Sequence, residues 1–148
     1  MELKELYQEI ILDHAKNPRN KGKCDGYNHE AKAHNPLCGD KVHIFLKLDK
    51  DKNITGLSFE GEGCAISLAS ASILTDTLQG KDLSFTKKMT TDFLSMIKDK
   101  TKITLNSLTE DQITTITSLS GVQKFPMRIK CATMVWHTLL SAIEKKTN

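Results

Sequence analysis

Apolar residues recur along this chain with two different periods, and each change of period marks a new element. From Leu3 to about Lys16 the residues Leu3, Leu6, Tyr7, Ile10, Ile11 and His14 recur at helical spacing, which predicts an amphipathic helix. Asn17-Pro18-Arg19-Asn20 ends it, because proline disfavours helix at the residue before it. His14 lies on the apolar face and reads as a packed, hydrogen-bonded histidine. Lys21 to Tyr27 is a polar loop carrying Cys24, which has no partner at metal-ligand spacing. The period then shortens to two. Glu30 to Asn35 reads as a short strand. Lys41 to Leu48 alternates Val42, Ile44, Leu46 and Leu48 against Lys41, His43 and Lys47. Ile54 to Glu60 sets Leu57 and Phe59 against Ser58 and Glu60, and the polar stretch Asp49 to Asn53 joins the two strands as a hairpin.

Beyond Phe59 the helical period returns. A helix is predicted from Cys64 to about Leu78, stopped by Gly80. A second runs from about Thr86 to Lys98 through Met89, Phe93, Met96 and Ile97. A third starts at Thr109-Glu-Asp-Gln112, which has the form of a capping box, and continues through Ile113, Ile116 and Leu119. Lys100 to Ser107 is polar, rich in threonine and assigned to no element. Gly121 to Lys130 reads as a loop with a basic set, Lys124, Arg128 and Lys130. Cys131 follows at the start of a last helix, which runs to about Lys145.

Composition narrows the function classes. At 148 residues the chain reads as one domain spanning 1–148. A net charge of +3, with one Trp and two Tyr, argues against a nucleic-acid surface. No apolar run approaches the ~20 residues that span a bilayer, so no membrane partner is expected. The charged start Met-Glu-Leu-Lys-Glu-Leu-Tyr lacks a secretory signal, and the expected location is cytoplasmic. In a reducing compartment Cys24, Cys38, Cys64 and Cys131 are expected as thiols or metal ligands rather than disulfides.

The chemistry concentrates in Phe59 to Ser72, Phe-Glu-Gly-Glu-Gly-Cys-Ala-Ile-Ser-Leu-Ala-Ser-Ala-Ser. Cys64 falls where a helix begins, and free N–H groups there stabilise a thiolate. Gly61 and Gly63 remove side chains beside it, so that another group can come close. Cys38 sits in the turn Asn35-Pro-Leu-Cys-Gly-Asp40, before one hairpin strand, while Cys64 follows the other. The ends of an antiparallel pair lie side by side, so Cys38 and Cys64 are expected to meet. With Cys131 at a helix start, Cys38, Asp40, Cys64 and Cys131 make a candidate Cys₃Asp set, whose donors suit zinc. Such a site carries a formal charge of about −2, which Arg128 and Lys130 could offset.

Four stretches together resemble the U-type iron–sulfur assembly proteins, the IscU and NifU N-terminal type: Asp13 to Asn20, Asn35 to Asp40, Phe59 to Ser72 and Lys124 to Thr133. The scaffold branch of that family carries a histidine before its last cysteine and a Leu-Pro-Pro-Val-Lys motif. Here Lys130 and Phe125-Pro126-Met127 stand in their places, and about Leu83 to Leu119 resembles the extra stretch of the SufU-like branch. The fold that the resemblance implies is α+β, a small antiparallel three-stranded sheet packed by about five or six helices. It implies zinc on Cys38, Asp40, Cys64 and Cys131, with Arg128 close to the metal. It also implies a sulfurtransferase-type sulfur carrier, with Cys38 as acceptor of persulfide sulfur. The implied partners are a pyridoxal-phosphate cysteine desulfurase of SufS type and downstream iron–sulfur assembly proteins. In the implied mechanism a group from the partner replaces one zinc ligand and frees the accepting thiolate. The nearest rival is a scaffold building a transient [2Fe–2S] cluster on the same ligands. A zinc hydrolase with Glu60 or Glu62 as base, and a binding module with structural zinc, are the others.

Overall fold

The alternating segments pair into an antiparallel sheet in the computed structural model, which describes residues 3–99 and 107–147. Strands β1 (His29–Asn35), β2 (Asp40–Leu48) and β3 (Ile54–Glu62) stand in that order. Asn35 faces Asp40 across the first pair, and Lys41 faces Glu62 across the second. One face carries Ala31, Val42, Ile44, Leu46, Leu57 and Phe59, all buried against helices. The other face is polar. It holds Lys41 against Glu62 at 3.6 Å and His43 against Glu30 at 3.2 Å. Phe45 departs from the alternation, since it lies on the polar face and is still fully buried. Tyr27 meets its ring edge-on at 4.9 Å and His43 stacks on it at 4.0 Å.

Five α-helices and one short 3-10 helix cover the apolar face among the described residues: α1 (Leu3–Lys16), α2 (Ala65–Leu78), α3 (Leu83–Asp99), α4 (Glu110–Ser118), the 3-10 helix Leu119–Val122, and α5 (Pro126–Glu144). This is the expected α+β architecture. The capping box forms as the sequence predicts, with Thr109 and Gln112 each bonded to the other's backbone N–H. No described helix is long and apolar enough to cross a membrane.

Helix α2 is the centre of the packing. Its Ala69, Ser70, Ala71 and Ser72 have no exposed surface, and their small size lets α1 and α5 approach closely. Each hydroxyl that this buries is satisfied, as it must be to avoid a desolvation cost. Ser70 donates to the Ala132 carbonyl of α5 at 2.6 Å and accepts from the Trp136 indole N–H at 3.0 Å. Ser72 accepts from the Arg19 N–H at 2.9 Å and bonds the Nδ1 of His14 at 2.8 Å. His14 is thus the packed histidine that the sequence suggests. Phe93 of α3 stacks on Trp136 at 4.0 Å and joins α3 to the same core.

Two helix starts differ from expectation. Helix α3 starts at Leu83 rather than Thr86, because the Asp82 carboxylate accepts the Phe85 N–H at 2.7 Å and opens the helix early. Helix α5 starts at Pro126, so Arg128 and Lys130 are helical rather than part of a loop, and Cys131 lies in the second turn rather than at the start. Proline disrupts a helix interior but suits its first position, where no N–H bond is required. The unassigned stretch Lys100 to Ser107 lies outside the described residues, apart from Ser107.

Candidate metal centre

Three local structures converge at the end of the sheet. The first is the turn between β1 and β2. The Asn35 side chain accepts the Leu37 N–H at 3.1 Å, and the Asn35 carbonyl accepts the Gly39 N–H at 2.8 Å. Gly39 has φ +75°, the left-handed region open to glycine. This turn puts Cys38 near its tip and leaves Leu37 71% exposed. Asp40, the first residue of β2, is fully buried.

The second is the junction of β3 with α2. Cys64 is the N-cap of α2, and its sulfur accepts the Ser67 N–H at 3.4 Å. Its own backbone N–H donates to Asp40 Oδ1 at 2.8 Å. The Ser67 hydroxyl donates to Asp40 Oδ2 at 2.5 Å, and the Cys64 thiol lies 3.6 Å from the same oxygen. The two glycines before Cys64 serve this contact. A Cβ on Gly61 would stand 2.6 Å from the Lys41 carbonyl, and one on Gly63, at φ +140°, would run into the Asp40 carboxylate. The groups that come close to them are therefore β2 backbone and Asp40.

The third is the second turn of α5, where Cys131 is buried. The Cys131 sulfur stands 3.9 Å from that of Cys38. Ligand atoms of Cys38, Asp40 and Cys131 all lie within 4.8 Å of one another. Two sulfurs bound to one tetrahedral zinc at ~2.3 Å stand about 3.8 Å apart, so the pair is at ligand spacing. Cys64 adjoins the trio through Asp40 and Cys131 but lies outside its tightest set. The sequence expectation that Cys38 and Cys64 meet is replaced by two contacts, Cys38 with Cys131 and Cys64 with Asp40. The hairpin register brings Asp40 rather than Cys38 level with the β3 end.

Charge explains why such a group of donors suits a cation. Burial pushes the Asp40 carboxyl up, but the Ser67 hydroxyl, the Cys64 N–H and the Cys38 and Cys131 thiols outweigh it and hold Asp40 below the usual carboxylate range. Burial, followed by Asp40 and Cys64, drives the Cys131 thiol well above the ordinary thiol range. The protein alone thus favours a carboxylate with a protonated Cys131. A divalent ion would let the thiols ionise beside Asp40.

The remaining candidates are placed as follows. Arg128 is exposed, with its guanidinium over the Phe125 ring at 4.3 Å. Lys130 is exposed on α5, and neither cation pairs with Asp40. Cys24 packs elsewhere, against Gly56, with its N–H donated to the Ser58 hydroxyl at 2.8 Å. Glu60 and Glu62 are exposed on the polar face of the sheet, and Glu62 pairs with Lys41, so neither supplies a base to the thiol cluster. Two contributors escape the sequence argument. Ser67 holds Asp40, and its place one turn into a cysteine-capped helix was the available signal. Burial pushes the Tyr7 phenol up against the pull of Arg128, and the Cys64 and Cys131 sulfurs add to the rise, a proximity that no local pattern reveals.

The profile of the NifU-like N terminal domain matches residues 6–132. The chain belongs to that family. Among its relatives, the zinc-dependent sulfurtransferase SufU of Bacillus subtilis (strain 168) is 41% identical over 141 residues, covering 95% of this chain and 91% of that protein. The iron–sulfur cluster assembly scaffold protein IscU of Streptococcus pyogenes serotype M1 is 36% identical over 146 residues, covering 99% and 87%. The crystal structure of the SUF-system protein FiSufU from Fervidobacterium islandicum AW-1 superposes with a TM-score of 0.78 at 31% identity, over 94% of this chain and 97% of that one. The three-stranded sheet with its helical cover is therefore an architecture shared within the NifU-like family.

Proposed function

We propose that this NifU-like protein works in iron–sulfur cluster assembly as a zinc-dependent sulfur acceptor. It takes persulfide sulfur from a cysteine desulfurase of SufS type and passes it on within the assembly pathway. The observation that carries this reading is the placement of Cys38. Its sulfur is 3.9 Å from buried Cys131, yet it belongs to a turn whose neighbouring Leu37 faces solvent. A thiol that must meet a partner's persulfide needs that exposure.

Cys38, Asp40, Cys64 and Cys131 are the residues that would hold zinc, which would keep its thiol ligands deprotonated and guard them from oxidation. Leu37 beside Cys38, and Phe125 and Met127 at the start of the helix bearing Cys131, are large apolar side chains left exposed. They offer a partner a contact surface around the site. The Cys38 thiolate attacks the outer sulfur of the donor persulfide. The donor's S–S bond breaks, its electron pair leaves with the donor cysteine as thiolate, and Cys38 becomes the persulfide. No external oxidant or reductant is needed. The chemistry requires free thiols, which places it in a reducing compartment such as the cytoplasm.

The test mixes the zinc-loaded protein with a desulfurase and cysteine and locates added sulfur by mass spectrometry. One sulfur on Cys38, and none in Cys38→Ala, is the expected result. Full transfer by Cys38→Ala would sink the assignment. The scaffold reading keeps a specific support, since the Streptococcus pyogenes relative bears the scaffold name at 36% identity. Against it stands Lys130, in the position where the scaffold branch carries histidine.

A further inference from the structure

On the α1 side of the thiol cluster lies a cavity of about 430 Å³ that the transfer step above leaves unused. Tyr7 and Gln8 of α1, Gly121 of the 3-10 helix, Lys124 of the connecting loop, and Phe125 and Arg128 at the start of α5 supply its main walls. Its construction depends on Gly121. A Cβ there would stand 2.6 Å from Tyr7 Cγ, so the tyrosine ring is seated against bare backbone and is 8% exposed. The Arg128 guanidinium lies 4.3 Å from the centre of the Phe125 ring, and Arg128 and Tyr7 line the same cavity. Among the described residues lining the cavity there is no Asp or Glu.

The lining therefore suits a small anion. It has two cations, a phenol that can donate, and the start of the 19-residue helix α5. Pro126 occupies the first turn of that helix and no side chain caps it, so free N–H groups and the positive end of the dipole face this region. The tyrosine and phenylalanine rings provide apolar wall for a short carbon chain. Arg128 stands one turn before Cys131 on the same side of α5, and the Cys131 sulfur is 3.9 Å from that of Cys38, so a molecule anchored at Arg128 would have the thiol cluster beside it.

We propose that this cavity binds the carboxylate of a small thiol and presents that thiol to the cluster as an acceptor for the sulfur carried by Cys38. The proposal deepens, and rests on, the sulfur-acceptor reading above. The carboxylate would sit between Lys124, Arg128 and the Tyr7 hydroxyl. The small thiol, as thiolate, attacks the outer sulfur of the Cys38 persulfide. The S–S bond breaks, Cys38 leaves as thiolate, and the small molecule departs as its own persulfide. Atoms and electrons balance without a further reagent.

Two measurements on the full zinc-loaded chain separate this proposal from the reading beneath it. The first is binding of methylthiopropionate, which has the carboxylate and no free thiol, followed by calorimetry and amide chemical shifts. Binding is expected, with shifts around Gly121 and Lys124. Gln8→Glu and Lys124→Gln, both at exposed positions, should each weaken it about tenfold, the size of one charge-assisted contact. The neutral methylthiopropionamide should not bind. The second is sulfur release from the Cys38 persulfide to mercaptopropionate and to mercaptoethanol. Mercaptopropionate should react faster than its thiol reactivity in free solution dictates, and the advantage should vanish in Gln8→Glu. No binding of methylthiopropionate, or equal binding by all variants and by the amide, would overturn the proposal whether or not Cys38 accepts sulfur. So would weaker desulfurase docking in Lys124→Gln with no small-acid binding, because the cavity would then serve a partner's carboxylate.

Discussion

Cys38 and Cys131 place their sulfurs 3.9 Å apart and belong to opposite kinds of structure. Cys131 is 5% exposed in the second turn of a 19-residue helix, and its carbonyl accepts the Ser67 hydroxyl at 3.4 Å. Cys38 lies in a short turn whose local bonds all come from Asn35. Asp40 and Cys64 side with Cys131, since both are locked to each other and to Ser67. The cluster thus has a fixed part of three donors and a yielding part of one. A purely structural metal site gains nothing from a yielding donor, whereas a transfer site needs one that can leave without unfolding the rest.

The glycines on the two sides give the largest test of this division. Gly63 and Gly39 both have positive φ, at +140° and +75°, but only Gly63 is enclosed. Gly63→Ala combines backbone strain with overlap against Asp40 and should cost about 3 kcal/mol or more in urea unfolding. Gly39→Ala meets no atom within 4 Å and should cost about 1 kcal/mol, the left-handed penalty alone. Equal costs would erase the distinction.

The cysteines themselves come next. In metal-free protein Cys131→Ala removes a buried side chain and should cost about 1 kcal/mol. Cys38→Ala should stay within about 0.5 kcal/mol, as substitutions outside the packed core do. A larger loss for Cys38 would mean that its turn is part of the rigid frame.

The smallest effect concerns the frame away from the cluster. Burial, helped by Arg19, keeps the His14 imidazole below its ordinary pKa. The folded chain then takes up this proton less readily than the unfolded chain, whose histidine titrates near ~6.5. Stability should therefore be flat in this group above ~6.5 and fall as pH drops below it. His14→Gln should shallow that slope in acid titrations of the unfolding midpoint, and an unchanged slope would assign it to other groups.

Much of this was legible in the sequence wherever local physics decides. Alternation at period two defined β2 and β3, and Thr109 and Gln112 announced their own cap. What escaped depends on contacts distant in sequence. Phe45 reads as a break in alternation until Tyr27 and His43 cover it. Pro126 looks like a loop residue unless one knows that a helix begins there. Cys38, Asp40, Cys64 and Cys131 were named from the chain, but their pairing was not. The register aligns Asn35 with Asp40 and Lys41 with Glu62, which sends Cys64 to Asp40 and leaves Cys38 for Cys131. Tyr7 belonged to the apolar line of α1, and only its seat on Gly121 reveals a second use.

Sulfur transfer, as proposed above, rests on zinc held by these four residues. The most direct test is the metal content and absorption spectrum of protein purified anaerobically without added metal. About one zinc per chain in a colourless sample is the predicted result. Iron with sulfide, and visible charge-transfer bands, would contradict it and make the same donors the seat of a cluster.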